Sequence, residues 1–497
     1  MAQYRIILEY VIVCLGFVWS STLSHLGGTP IWGMPLSFAL VLVGLFHRQC
    51  KYPVEPSARP GADRGLWMVC CFPYAIYSGG SQVFHGDNFR LIEITTAHAL
   101  LLSLTTVSYA PSSARIIASS FVLTLLLTVI LTPYSLINSM LASIVCSSVF
   151  CYSRDKLKIH APTSFTDGEL ITIVQAISVF TTSAVICFFS TIQVSKSASF
   201  LQGGLFSLGL LIFVLFRFPL TRSSSFAFFS TVLITCSCLL YPLVYWSVGG
   251  VPAQFLVSFL TVSGRRIALL GFWFGMTIAA IAFAAFFARA MTATTKTAIR
   301  KVFHIFILVV FTTGACLDPE LTYLASGCIL GVMIVLEVMR VLRIKPVGPA
   351  IQHAFNTFLD AKDQGPLVLS HIYLLLGCSL PFFLYPGVDY DSREGVTLAL
   401  LTGVTTIGVG DTAAALIGGH FGRIRWPGTR KTLEGTAAAV VAQLAWCIFF
   451  APVTADALFA GKLLVALLLT SCLEATTEQI DNLAVPLFAF PLFLALL

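Results

Sequence analysis

Residues 269–287 read LLGFWFGMTIAAIAFAAFF, nineteen positions without one charged side chain. A helix needs about 20 mainly apolar residues, at 1.5 Å rise each, to cross the hydrocarbon of a bilayer. A backbone immersed in lipid must satisfy its own hydrogen bonds, and a helix does so within one segment. The stretch therefore reads as a membrane-spanning helix. Residues 116–131 and 205–216 are charge-free in the same way. Across 497 residues, 57% are hydrophobic and 10% charged, against about 25% charged in a soluble domain. So few charges cannot cover a surface that faces water. The expected fold is all-α, a polytopic transmembrane helical protein with about 15 to 17 spans and the lipid bilayer as its partner.

Residues 5–25 read as the first span and not as a removable signal, because no small-x-small cleavage site follows and further spans come at once. The fourteen cysteines show no CxxC pair and no Cys/His ligand spacing, and read as small buried hydrophobes. The net charge of +7 is gathered in loops, which bears on topology and not on nucleic acid. Basic loops at 47–65, 153–160, 217–222, 289–301, 340–345 and 423–431 fall on one side if Gly249–Ser263 does not cross. The N-terminus is then cytosolic and the C-terminus lumenal. Arg265 and Arg266 are the exception in that arrangement. Gly249–Ser263, short and carrying Pro252, reads either as a span or as a re-entrant segment. Intramembrane charge is sparse before residue 300, with Glu93, Asp167 and Glu169 the exceptions. The chain is accordingly divided into an N-terminal transmembrane region, 1–298, and a C-terminal transmembrane region, 299–497, where polar clusters and glycines become frequent.

Polar chemistry concentrates in residues 408–436, GVGDTAAALIGGHFGRIRWPGTRKTLEGT. Glycines let backbone N–H groups approach phosphate oxygens, and helix N-termini favour anions. Arg423, Arg425, Arg430 and Lys431 can neutralise a triphosphate. Asp411 and Glu434 can hold Mg²⁺, which takes one or two carboxylates plus phosphate oxygens. Composition alone serves equally well for a plain cytosolic loop with positive-inside charge. The Walker A pattern is absent. A second cluster, residues 474–486, carries Glu474, Glu478 and Asp481 at i, i+4 and i+7, one face of a helix, with Asn482 four beyond Glu478. Asp481 there can bind a metal or act as general base; a solvated helix end is the plain alternative. A third is Arg300-Lys301-Val-Phe-His304, whose polar side chains share a helical face at the start of a span and read equally as an interfacial anchor. Glu337 and Arg340, at i, i+3, are expected to pair with each other.

Gly410-Asp411-Thr412-Ala413-Ala414, Gly418 to Gly422, Arg425-Trp426-Pro427-Gly428-Thr429, Lys431-Thr432 and Glu434-Gly435-Thr436 resemble the C-terminal motif of the dolichol kinases. So do Glu474-Ala475 with Gln479 and Asp481-Asn482-Leu483, and Arg300-Lys301 with His304. The resemblance covers about residues 300–497 and implies a multi-pass endoplasmic-reticulum protein. Such an enzyme uses CTP, with Mg²⁺ or a similar divalent cation, to phosphorylate dolichol for protein glycosylation, its active site facing the cytosol. It further implies catalytic roles for Asp411, Lys431, Asp481 and His304, and metal binding by Asp411, Glu434 and Asp481. Nucleotide contacts are implied at Gly419, His420, Gly422, Arg423, Arg425, Trp426, Gly428, Arg430, Lys431, Thr432 and Glu434, with Arg300 and Lys301. The substrate partner implied is dolichol or another polyprenol. The three polar segments are expected to meet on the cytosolic face. Rival readings are a CTP-dependent lipid cytidylyltransferase, whose Pro-Gly-His-Gly-Gly signature is missing here, a kinase of another prenyl alcohol such as phytol, and a transporter. Whether the chain works as a monomer or a homo-oligomer is open in the sequence.

Overall fold

The computed structural model describes residues 2–26, 33–51, 59–83, 87–108, 136–189, 195–287, 293–356, 365–384, 396–452 and 454–496. The described residues are helical and contain no sheet. Two compact units are present: residues 1–189 with 376–497, and residues 190–375. The sequence division at 298/299 falls inside the second unit.

The first unit opens with α1 (Ala2–Leu26), α2 (Gly33–Lys51), α3 (Met68–Val83), α4 (Asp87–Ser108), α5 (Leu136–His160) and α6 (Asp167–Phe189). The second holds α7 (Lys196–Arg217), α8 (Ser225–Val248, with a π turn at Cys236–Leu240), α9 (Pro252–Thr261), α10 (Gly264–Phe287), α11 (Ala293–Leu317), α12 (Pro319–Val341) and α13 (Val347–Asn356). Helix α14 (Ser370–Leu384) leads back to the first unit, which closes with α15 (Val396–Leu400), a π-helical stretch Val404–Asp411, α16 (Thr412–Phe421), α17 (Leu433–Phe449), α18 (Ala457–Thr476) and α19 (Asp481–Leu494).

Seven helical segments among the described residues are long and apolar enough to cross a bilayer, and seven more are shorter and apolar. The charge-free stretch at 116–131 lies outside the described residues. The apolar surface confirms that lipid is the solvent: Phe226, Phe286 and Phe449 are 83%, 76% and 81% exposed, an arrangement water would penalise. The chain is thus a polytopic helical membrane protein, as composition requires. Helix α9 has ten residues, about 15 Å of rise, which is half a bilayer. Arg266, the topological exception, is neutralised: its guanidinium reaches Asp318 at 2.7 Å and Glu320 at 3.0 Å and lies 3.9 Å over the Phe259 ring. Glu337 and Arg340 pair as expected, through two bonds of 2.7 Å.

Helix α19 is the axle of the first unit. Every residue from Asn482 to Leu494 is buried, the pattern of a helix that is apolar all round and enclosed by others. It packs on α1, α3, α15, α18 and the π-helical stretch. Gly377 of α14 makes one approach possible, since a Cβ there would lie 2.0 Å from the Asn482 carbonyl oxygen. One end of this axle carries the polar site.

Candidate active site

Asp411 is the last residue of a widely wound helical run that continues directly into α16. Residues Val404–Asp411 form a π-helical run, buried from Val404 to Gly408. Such runs are rare and, where they occur, are frequently at functional positions. Gly410 has no room for a side chain, because a Cβ would stand 2.3 Å from the Gln443 amide nitrogen. Gln443 of α17 therefore lies directly against the backbone that presents Asp411.

Between α16 and α17 the chain makes a small hairpin. Trp426 N donates to Lys431 O at 3.0 Å, and Leu433 N to Ile424 O at 2.8 Å. Thr429 N closes the turn on Trp426 O at 3.2 Å. Pro427 at the second position and Gly428 at the third, with φ of +77°, supply what a type II turn demands. The Trp426 indole N–H donates to Thr436 Oγ1 at 2.9 Å, and Thr432 Oγ1 caps α17 by accepting from Gly435 N at 3.2 Å. A Cβ on Gly435 would sit 2.9 Å from Ala414 O, so α16 and α17 touch backbone to backbone beneath the hairpin. Gly419, His420, Arg423, Arg425, Gly428 and Arg430 are exposed, whereas Gly422, Trp426, Lys431 and Thr432 are half-buried. Glu434 accepts from Arg423 N at 3.0 Å and Ile424 N at 3.1 Å. Its carboxylate thus holds the base of the hairpin.

The 474–482 segment departs from the single-helix reading. Helix α18 stops at Thr476 and α19 starts at Asp481, so Glu474, Glu478 and Asp481 do not share one helical face. The break turns Glu478 toward Arg5, 2.9 Å away, and brings Glu474 and Asp481 together with Asp411. One carboxylate oxygen from each of these three lies within 4.8 Å of the others. Lys431 reaches into the group and donates to both the carboxylate and the main-chain oxygen of Glu474. Burial lowers the pKa of the Lys431 ammonium, but Glu474, Asp481 and Asp411 outweigh it and leave it above the usual lysine value. The acid that lies with Asp411 and Asp481 is Glu474, while Glu434 accepts from the hairpin backbone.

The helix break is held by residues far away in sequence. Arg59 donates to Glu478 O at 2.9 Å and pairs with Glu169 at 2.9 Å. Glu169 in turn accepts from Ile480 N at 2.8 Å. Gln479 donates to Asp63 Oδ1 at 2.9 Å and accepts from Thr166 Oγ1 at 2.5 Å. Arg5 reaches Asp63 at 2.8 Å, and Arg64 reaches Asp167 at 2.6 Å. Burial raises the Glu478 pKa, with Arg5 opposing and Asp63 adding to the rise. Sequence reading had counted Arg59 and Arg64 as topological charge. Their one signal in the sequence was the pair of acids, Asp167 and Glu169, in a region otherwise poor in charge.

Arg300, Lys301 and His304 lie on α11 of the second unit, and His304 is buried. The other two polar segments come together in the first unit.

A family model described as Dolichol kinase matches residues 129–422, which includes Asp411 and stops before Lys431. A mouse protein named Dolichol kinase is 34% identical over 365 residues, 70% of this chain and 68% of its own length. A human protein of that name is 33% identical over 368 residues, with the same coverage. Dolichol kinase EVAN of Arabidopsis thaliana is 37% identical over 200 residues, 39% of this chain and 34% of its own length. No solved structure matches. With a polytopic helical fold, a site of three carboxylates and a lysine, and similarity of this extent, the chain belongs to the dolichol kinase family.

Proposed function

We propose that this chain transfers the γ-phosphoryl group of CTP to the terminal hydroxyl of dolichol, in the endoplasmic-reticulum membrane and from its cytosolic face, so supplying dolichyl phosphate for protein glycosylation. The observation that carries the reading is the convergence of Asp411, Glu474, Asp481 and Lys431 at one end of a buried helix. Phosphoryl transfer asks little covalent chemistry of a protein and much positioning and charge neutralisation. The alcohol oxygen bonds to the γ-phosphorus while the bond to the β–γ bridging oxygen breaks. CDP leaves with that electron pair, and the hydroxyl proton is lost.

Three carboxylate oxygens so close together suit a small hard cation with oxygen ligands. Asp411, Glu474 and Asp481 would hold an ion such as Mg²⁺, which supplies charge neutralisation at phosphate oxygens when bound. Lys431 supplies a fixed positive charge beside them, and its raised pKa keeps it charged at any physiological pH. The exposed Arg423, Arg425 and Arg430 offer planar forks to the outer phosphates. The turn, the indole bond and the Glu434 anchor hold the hairpin that carries these cations. Apolar helices around the site suit a polyprenol tail.

The test is transfer by purified protein from CTP labelled at the γ- or the α-phosphate, with dolichol as acceptor. Expected is γ label in the lipid with release of CDP. Appearance of α label in the lipid with release of pyrophosphate would make the chain a cytidylyltransferase and overturn the proposal.

A further inference from the structure

Beneath the carboxylates lies a buried acceptor that no group in the protein answers. Gln443 is 2% exposed. Its Nε2 donates to Ser471 Oγ at 3.1 Å, and its Oε1 has no hydrogen-bond partner. Gln443 and Ser471 line a small cavity with Asp411, Glu474, Thr406 and Thr470, with room for about one water-sized group. Thr406 and Thr470 spend their hydroxyl hydrogens on main-chain oxygens, on Thr402 O at 3.0 Å and on Ala466 O at 2.8 Å. Ionised carboxylates have no hydrogen to give. Leaving a buried acceptor unmade is costly, so the cavity suits a small group that brings its own hydrogen.

We infer that Gln443 forms the subsite for the acceptor alcohol: its Oε1 accepts the hydroxyl hydrogen of a long-chain prenyl alcohol and seats the alcohol oxygen beside Asp411. The inference rests on the phosphotransfer reading above. It adds a selectivity that reading lacks. A phosphate monoester is larger than the space, and its ester oxygen has no hydrogen to give Gln443. The cavity thus accepts the alcohol and rejects the phosphorylated product. Gly410 is part of the device, because any larger residue would drive the Gln443 amide out of place.

The test measures initial rates of γ-label transfer while the prenyl alcohol and CTP are varied separately. Gln443→Met keeps the length of the side chain and removes the acceptor. Expected is a rise of about tenfold in KM for the alcohol, with KM for CTP and the melting temperature unchanged. A second measurement uses the unaltered protein: a prenyl methyl ether, which has no hydroxyl hydrogen, is expected to compete about tenfold more weakly than the alcohol. An unchanged alcohol KM, an equal rise in both KM values, a loss confined to melting temperature, or equal competition by the ether would each overturn the subsite; the third would make the cavity a structural water site. If the unaltered protein transfers no γ label, the phosphotransfer reading fails; if it does and Gln443→Met behaves like it, the subsite alone fails.

Discussion

Asp411 stands within 4.8 Å of two other carboxylates, counted between nearest ligand oxygens, with Lys431 as the cation that holds them together. Like charges so close repel, so the cluster is kept at a cost to stability. Asp411→Asn should therefore separate activity from stability. Its γ-transfer rate is expected to fall by roughly 10²–10³-fold. Its melting temperature in detergent should stay level or rise, as happens when a strained active-site charge is removed. A variant that melts earlier and keeps its turnover would show Asp411 to be a structural residue.

At the scale of elements, the site depends on close backbone approaches that only glycine permits. Gly377→Ala would place a Cβ 2.0 Å from the Asn482 carbonyl oxygen, backbone against methyl, with no flexible side chain to give way. Helices α14 and α19 must then separate, and Asp481 moves with α19. Stability is expected to fall by about 1–3 kcal/mol or more, with turnover lost in parallel, read by thermal unfolding and by transfer assay on the same preparation. The helix break at 477–480 depends equally on buried charge. Arg59→Met leaves Glu169, which is fully buried, without its cation. Breaking a buried pair in this way costs about 3–5 kcal/mol, while replacing both partners with apolar residues is often far milder. The double variant Arg59→Met with Glu169→Leu should recover part of the lost stability in denaturant titration. It should recover less of the activity, because Ile480 N would still lack the acceptor that fixes the start of α19.

The whole molecule is built so that its first unit takes residues from both ends of the chain. Hydrogen bonds between Arg5, Arg59, Asp63, Thr166 and Glu169 and the 476–480 segment put the loops before α3 and α6 at the same end as the hairpin of 422–432. Those loops must face one side of the membrane together. Cysteines placed at the exposed Pro162 and Pro427, in a background without other reactive thiols, should label from the same side of sealed microsomes. Labelling from opposite sides would contradict the assembly of this unit.

How much of this could be read beforehand follows from which interactions are local. The charge-free run at 269–287 sufficed for the class of fold, because lipid as solvent is recorded in composition and a helix satisfies its backbone locally. Asp411 and Lys431 stood out for a similar reason, since a carboxylate among glycines and a cluster of cations are visible wherever they fold. The Glu337–Arg340 pair was legible because one helical turn joins its members. The meeting of Glu474 with Asp411 and Asp481 was not legible, because it depends on where α18 ends, and that end is fixed by Arg59 and Glu169 across more than 300 positions of sequence. The unanswered oxygen of Gln443 was equally hidden, since a glutamine in an apolar run carries no sign of what surrounds it. The sequence by itself determined a helical membrane protein with a polar, glycine-rich segment near residue 411. The tertiary structure alone decided which acids meet and what holds them, because burial and partnership are properties of packing between distant segments and not of spacing along one.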